Sequence, residues 1–200
     1  MRKLCLLFLL IGTYCYAGEK KYTVDSPDGK IQLAIIQTDA GELTYQLSVK
    51  HKQVIDASAL GFKTEDGLTF PFRGWKMGKV TRNKVNSVWK PLWGKRAVVP
   101  DKYNEMKLSF VNEAKSSDAL EVVARAYNEG VAFRYVSPQD AGSALELTTF
   151  NFAGDYTAWF YNGERHNIGP ERLTETDGER LPVMTVKAAD DLYLAIHEAC

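Results

Sequence analysis

Leu120-Glu121-Val122-Val123-Ala124-Arg125-Ala126-Tyr127, then Asn128-Glu129-Gly130, then Val131-Ala132-Phe133-Arg134-Tyr135 is the stretch that decides the fold class. Leu120 to Tyr127 meets Val131, Phe133 and Tyr135 across the turn. The three residues between them tolerate the positive φ that a tight hairpin turn needs. A period of two recurs on both sides. Ile31, Leu33 and Ile35 alternate with polar or small partners until Asp39-Ala40-Gly41, and Leu43, Tyr45, Leu47 and Val49 resume the pattern as a second hairpin. Met106, Leu108 and Phe110 alternate with Lys107 and Ser109, and Leu192, Leu194 and Ile196 give one more half-buried strand. No stretch of helical length keeps a 3.6-residue period free of Gly or Pro, and no internal repeat or low-complexity tract is present. Many strands with regular turns predict an all-β domain of two stacked sheets. The last strand runs to Cys200 without a polar, Gly-rich or Pro-rich tail, so the domain is expected to be cut off there.

Charge narrows the function. Lys+Arg and Asp+Glu each number 25, giving a formal net charge of zero. A nucleic-acid partner is not expected, because there is neither a basic excess nor a basic stripe. Aromatic residues make up 12% of the chain, which suits sheet faces and sugar binding alike.

Arg2 and Lys3 precede an apolar run from Leu4 to Ile11, which decays through Gly12 and Thr13 to Ala17. That is the layout of a secretory signal peptide cleaved after Ala17. The run is shorter than the roughly 20 residues of a membrane-spanning helix, so no membrane span is expected. Tyr14 is bulky where lipoprotein processing at Cys15 wants a small residue. Residues 1–17 are therefore read as the signal and 18–200 as the mature domain. Cys5 and Cys15 leave with the signal, Cys200 remains alone, and neither a disulfide nor a cysteine zinc site is expected. The periplasm or cell surface of a bacterium fits this usage.

Catalytic templates are sparse. The chain has no phosphate-binding Gly loop, no G-x-S-x-G elbow and no H-E-x-x-H helix. His51, His166 and His197 are scattered and read as turn or surface residues. Glycoside hydrolysis needs two carboxyl groups about 5 to 9.5 Å apart, and sequence cannot pair Asp155, Glu164 or Glu175. Glu198 continues the register of Leu192, Leu194 and Ile196. A carboxylate on an apolar face needs a hydrogen-bonding partner or a cation, and a hard divalent ion such as calcium prefers such oxygens; alternatively the strand ends at His197 and Glu198 meets water. Trp75, Trp89, Trp93, Tyr156, Trp159, Phe160 and Tyr161 suit either sugar stacking or the core. Pro91, Gly94 and Lys90 place Trp89 and Trp93 on a loop.

Five words then occur in order: Ser26-Pro27-Asp28-Gly29-Lys30; Trp89-Lys90-Pro91-Leu92-Trp93-Gly94-Lys95 with Tyr103-Asn104-Glu105; Tyr127 through Tyr135; Phe150 through Trp159; and Leu192 through Ala199. Together they closely resemble the N-terminal domain of glycoside hydrolase family 97, secreted bacterial α-glucosidases and α-galactosidases, over essentially the whole mature chain. The resemblance implies a β-supersandwich of galactose-mutarotase-like fold, incomplete at the C-terminus. It implies a (β/α)8 barrel outside this chain that holds the catalytic carboxylates and most of the pocket for an α-linked oligosaccharide. No alternating βα units occur here, so the chain alone is expected to be inactive. The His197-Glu198-Ala199 word resembles the place where the family's N-terminal domain lends a glutamate to an active-site calcium, which implies calcium as cofactor through Glu198. The rival expectation is a stand-alone secreted module that binds glycan or a partner protein.

Overall fold

Alternation dictates which side of each strand is buried, and the chain follows it closely. The computed structural model describes residues 19–65, 67, 69–71, 74–114, 119–138, 142–161, 163 and 167–198. The expected signal peptide and Cys200 lie outside the described residues. In chain order the strands are β1 (Lys20–Asp25), β2 (Ile31–Gln37), β3 (Leu43–Val49), β4 (Lys52–Leu60), β5 (Phe62–Thr64), β6 (Thr69–Phe70), β7 (Trp75–Trp89), β8 (Val99–Asn112), β9 (Ala119–Tyr127), β10 (Val131–Val136), β11 (Ala144–Glu146), β12 (Thr157–Tyr161), β13 (Asn167–Arg172), β14 (Leu181–Ala189) and β15 (Leu192–Ile196). A single 3-10 turn, Leu173–Glu175, is the helical content among the described residues.

The all-β expectation holds, and both predicted hairpins form. β2 pairs with β3 so that Leu33 faces Leu47 and Ile35 faces Tyr45. β9 pairs with β10 across Asn128-Glu129-Gly130, closed by the Tyr127 amide donating to the Gly130 carbonyl at 2.8 Å. β1-β2-β3-β4 make one antiparallel sheet and β10-β9-β8-β7 a second. Their inner faces form one core in which Leu33, Ile35, Val54, Met106, Leu108, Phe110 and Val122 are fully buried. Phe62 and Phe70, from the small β11-β5-β6 sheet, plug its end. Phe70 meets Phe110 and Trp75 edge-on with centroids 5.2 and 5.1 Å apart.

Where alternation predicts two sheets, the described residues form four. The fourth, β13-β12-β14-β15, closes a smaller core on Ala158, Phe160 and Val186. It escapes the pattern because β12 carries large aromatics on both faces, Phe160 inward and Trp159 and Tyr161 outward. Phe152 and Leu194 pack against both cores and join them. The segment leading into this sheet runs along β4 without strand alternation of its own. The Leu147, Thr149 and Ala153 amides donate to the Gly61, Ala59 and Val54 carbonyls, and the Asp56 amide to the Asn151 carbonyl, at 2.7 to 3.1 Å. Tyr45 adds its hydroxyl to the Thr149 carbonyl at 2.8 Å, and burial raises the pKa of that hydroxyl well above its ordinary value.

The Ser26–Lys30 word is the β1–β2 turn. Buried Ser26 donates its hydroxyl to Asp28 Oδ1 at 2.7 Å and accepts the Ile31 amide at 3.0 Å, while Gly29 takes φ 73°. Asp28 also accepts the Lys30 amide at 3.1 Å and pairs with the Lys30 ammonium at 3.0 Å. The Ser26 hydroxyl first, and Lys30 second, pull the Asp28 carboxyl down to about 2. The Asp28 amide reaches across to Asn128 Oδ1 at 3.0 Å, so this turn ties the first sheet to the second.

Two outcomes are expected. Leu108→Ala costs about 3 kcal/mol in urea unfolding, since a fully buried leucine leaves a cavity, whereas Val111→Ala, on the exposed side of the same strand, stays within about 0.5 kcal/mol. A depressed carboxyl stabilises above its unfolded pKa and loses that contribution as pH falls through its folded one. Urea midpoints of the wild type should therefore drop between about pH 4 and about pH 2, and Asp28→Asn should flatten that limb.

Candidate functional site

Two of the three carboxylates weighed as catalytic acids turn out to be fasteners. Asp155 sits between Gly154 and Tyr156, just before β12, and accepts Arg172 Nε at 2.8 Å and the Thr174 amide at 3.0 Å. The Thr174 amide, more than Arg172, holds its carboxyl below the ordinary carboxylate value. A general acid requires the opposite shift. Glu175 turns back to the Arg172 amide at 3.4 Å and closes the 3-10 turn. Glu164 and His166 lie outside the described residues.

His51 occupies the β3–β4 turn with φ 66°, and His197 is exposed just past β15. Of the aromatics, Trp75 and Phe160 are core, Tyr156 packs at the rim of the smaller core, and Trp89 and Trp93 are exposed at the end of the β7–β8 hairpin. Trp159 and Tyr193 pair across the outer face of the fourth sheet with centroids 6.4 Å apart, beside exposed Tyr161.

Sequence reasoning missed Glu105. It is buried on the outer face of β8, directly opposite Arg125 on β9, whose Nε donates to it at 2.8 Å. The Arg125 guanidinium lies 4.3 Å over the Tyr103 ring, and Tyr103 packs on Tyr127. The signal was available only through cross-strand register, which pairs residues twenty positions apart.

Glu198 stands exposed two residues beyond β15. The face read from the sequence is real: Leu192, Leu194 and Ile196 are half-buried while Tyr193 and Ala195 are exposed. The strand stops at Ile196, so Glu198 follows that face without being hydrogen-bonded into the sheet. A hard divalent cation takes six to eight oxygens, in general terms. No group of three or more His, Cys, Asp or Glu suited to a metal ion exists among the described residues. Glu198 is an exposed carboxylate that belongs to no such group among the described residues. It is not a site in itself.

A surface depression of about 550 Å³ opens between the β2–β3 turn and the start of β7, lined by Thr38, Asp39, Trp75, Lys76 and Glu113 among others. Lys76 and Glu113 pair across it at 3.9 Å.

These features describe an all-β module in which Asp28, Glu105, Asp155 and Glu175 are held by neighbouring side chains and amides, and Glu198 stands exposed past β15. The glycosyl-hydrolase 97 N-terminal family model matches residues 24–200, and the chain belongs to that family. It is 23% identical to a retaining α-galactosidase of Bacteroides thetaiotaomicron, across 100% of this chain and 32% of that protein. It is 29% identical to a probable retaining α-galactosidase of Streptomyces bingchenggensis, across 80% of this chain and 26% of that protein. Among solved structures, a family 97 glycoside hydrolase from Pseudoalteromonas sp. strain K8 in complex with acarbose superposes with a TM-score of 0.76 at 30% identity, covering 90% of this chain and 28% of the enzyme. The chain therefore spans under a third of the length of these relatives.

The Asp155–Arg172 pair is expected to act only in stability. Asp155→Asn and Arg172→Gln should each lower the melting temperature by roughly 2–5 °C. The double variant should fall by less than the sum, as a thermal double-mutant cycle detects for groups in contact.

Proposed function

We propose that this chain is the N-terminal, carbohydrate-associated domain of an exo-acting α-glycosidase, an α-galactosidase or α-glucosidase, and that Glu198 contributes one oxygen ligand to a calcium ion at an active site housed in a (β/α)8 barrel outside this chain. The observation that carries the reading is the family match over residues 24–200 at under a third of the relatives' length. The acarbose complex of the Pseudoalteromonas enzyme supports an oligosaccharide substrate. Export is part of the proposal, resting on the Arg2-Lys3 and Leu4–Ile11 pattern. No helix of the described residues is long and apolar enough to cross a membrane.

In this reading the domain's work is positional. The Met184–Ile196 pairing with Leu194 in both cores fixes where β15 ends, and so fixes where the Glu198 backbone emerges. A bound calcium would polarise the glycosidic oxygen or help place the acid, in a hydrolysis passing through an oxocarbenium-like transition state. Glu198 supplies a negative, oxygen-donating group without supplying or accepting the catalytic proton. The Asp155 carboxyl, held ionised by Thr174 and Arg172, does not compete for that task.

The isolated chain is expected to show no turnover of nitrophenyl α-galactoside or α-glucoside; measurable turnover refutes the reading. Joined in place of the matching span of the Pseudoalteromonas enzyme, it should restore calcium-dependent hydrolysis. There Glu198→Gln should raise the calcium concentration for half-maximal activity by roughly tenfold or more, the scale lost with a metal-site residue. An unchanged calcium requirement removes Glu198 from the site.

A further inference from the structure

In the second sheet, β8 and the edge strand β7 outrun β9. β8 is paired with β9 only from Tyr103 to Val111, whereas β7 stays paired with β8 down to Trp89 opposite Val99. Among the described residues, the stretch Asn86–Trp89 opposite Val99–Lys102 is therefore a two-stranded ribbon with no third strand paired to it, and its side chains are mostly exposed. Such ribbons are marginal in water by themselves. This one nevertheless ends in large apolar side chains: Trp89 is 54% exposed, Trp93 88% and Leu92 101%, with Val88 and Val98 exposed beside them. Single exposed apolar residues are unremarkable, but five within eleven positions concentrate apolar surface at this end of the ribbon, and concentrated exposed apolar surface marks interaction sites.

The charge at the tip of the ribbon is one-sided, and Asp101, opposite Ser87, lies back from it. Lys90, Lys95 and Arg96 are exposed, and no carboxylate occurs between Asn86 and Pro100. Area argues against a second copy as the occupant. A stable interface buries about 800 Å² per partner. Two tryptophans and a leucine supply roughly 400–600 Å². That suffices for one contact within a single polypeptide, where tethering raises the effective concentration to about millimolar. More than two thirds of the Pseudoalteromonas enzyme lies outside the span matched by this chain.

We infer that the Trp89–Trp93 end of the β7–β8 ribbon is a docking finger, which seats Leu92 and Trp93 in an apolar pocket with a carboxylate-rich rim on the catalytic portion of the enzyme. The inference rests on the family-level role proposed above and deepens it by naming the contact. Apolar insertion supplies the affinity, and Lys90, Lys95 and Arg96 set orientation and salt dependence.

The test compares the chain alone with the full-length enzyme in which it replaces the Pseudoalteromonas span, by hydroxyl-radical oxidation read residue by residue. Trp93 and Leu92 should oxidise several-fold more slowly in the full-length protein. Leu92→Ser with Trp93→Ser should lower its melting temperature by roughly 5 °C while leaving the chain alone unchanged. Lys95→Glu with Arg96→Glu should restore much of the Trp93 reactivity, and added salt should do the same to the unaltered protein. If the full replacement does not melt cooperatively, a graft of residues 86–101 onto the intact Pseudoalteromonas enzyme gives the same comparison, and rejection of that graft too counts against the finger. Equal Trp93 reactivity in both proteins overturns the inference. So does a dimer of the chain alone with Trp93 protected, or saturable protection of Trp93 by maltose-series sugars in the chain alone. Calcium-dependent, Glu198-dependent hydrolysis with Trp93 fully reactive would sink the finger and leave the family-level role standing. A protected Trp93 with no Glu198 dependence would do the reverse.

Discussion

Two sheet faces, each too apolar to meet water, must cover one another, and the remaining architecture follows from that burial. β2 and β3 contribute Leu33, Ile35 and Tyr45, while β8 and β9 contribute Met106, Leu108, Phe110 and Val122. Burying apolar surface stabilises by about 25 cal/mol per Å², and the side-chain period of two makes the register all-or-none: a slip of one residue would turn every one of these side chains to solvent. With the register set, the hairpin turns have little freedom. The Ser26–Lys30 turn and Asn128 come together because the sheets beneath them are already stacked.

Legibility in the sequence tracked how one-sided each strand is. The 31–49 and 120–135 hairpins and the 106–110 run each carry a continuous apolar row on the core face, and alternation exposes them even where Ala34, Ile36 and Val123 are buried on the other side. β7 is legible only in hindsight, because its ribbon exposes both faces and a bulge between Met77 and Val80 breaks the period. The fourth sheet hides behind aromatics on both sides of β12. The 147–153 segment carries no pattern at all, since its order comes from backbone bonds to β4. Pattern reading of side chains is blind to such bonds.

The same distinction governs the candidate site. A carboxylate's chemistry depends on what surrounds it, and Asp155 shows why sequence could not choose: Arg172 and Thr174, seventeen and nineteen residues away, decide that it stays ionised. Glu105 is the converse case, a buried acid with an arginine directly across the ladder, invisible until register is known. Glu198 was singled out by following the parity of β15, and the structure keeps the parity of the strand while ending it two residues short. The family membership rests on residues 24–200 as a whole, not on any one of these acids.

The 147–153 segment has a consequence for how the molecule behaves in a crowd. Without it, β4 would present a row of free amides and carbonyls, the template on which sheets of neighbouring molecules zip together into fibrils. Leu147, Thr149, Asn151 and Ala153 occupy those groups along the whole border. At the opposite border, β1 opens with Lys20 and Lys21, whose like charges repel an incoming copy. One border of this sheet is sealed by its own chain and the other opens on two positive charges, and both features disfavour edge-to-edge pairing with another copy.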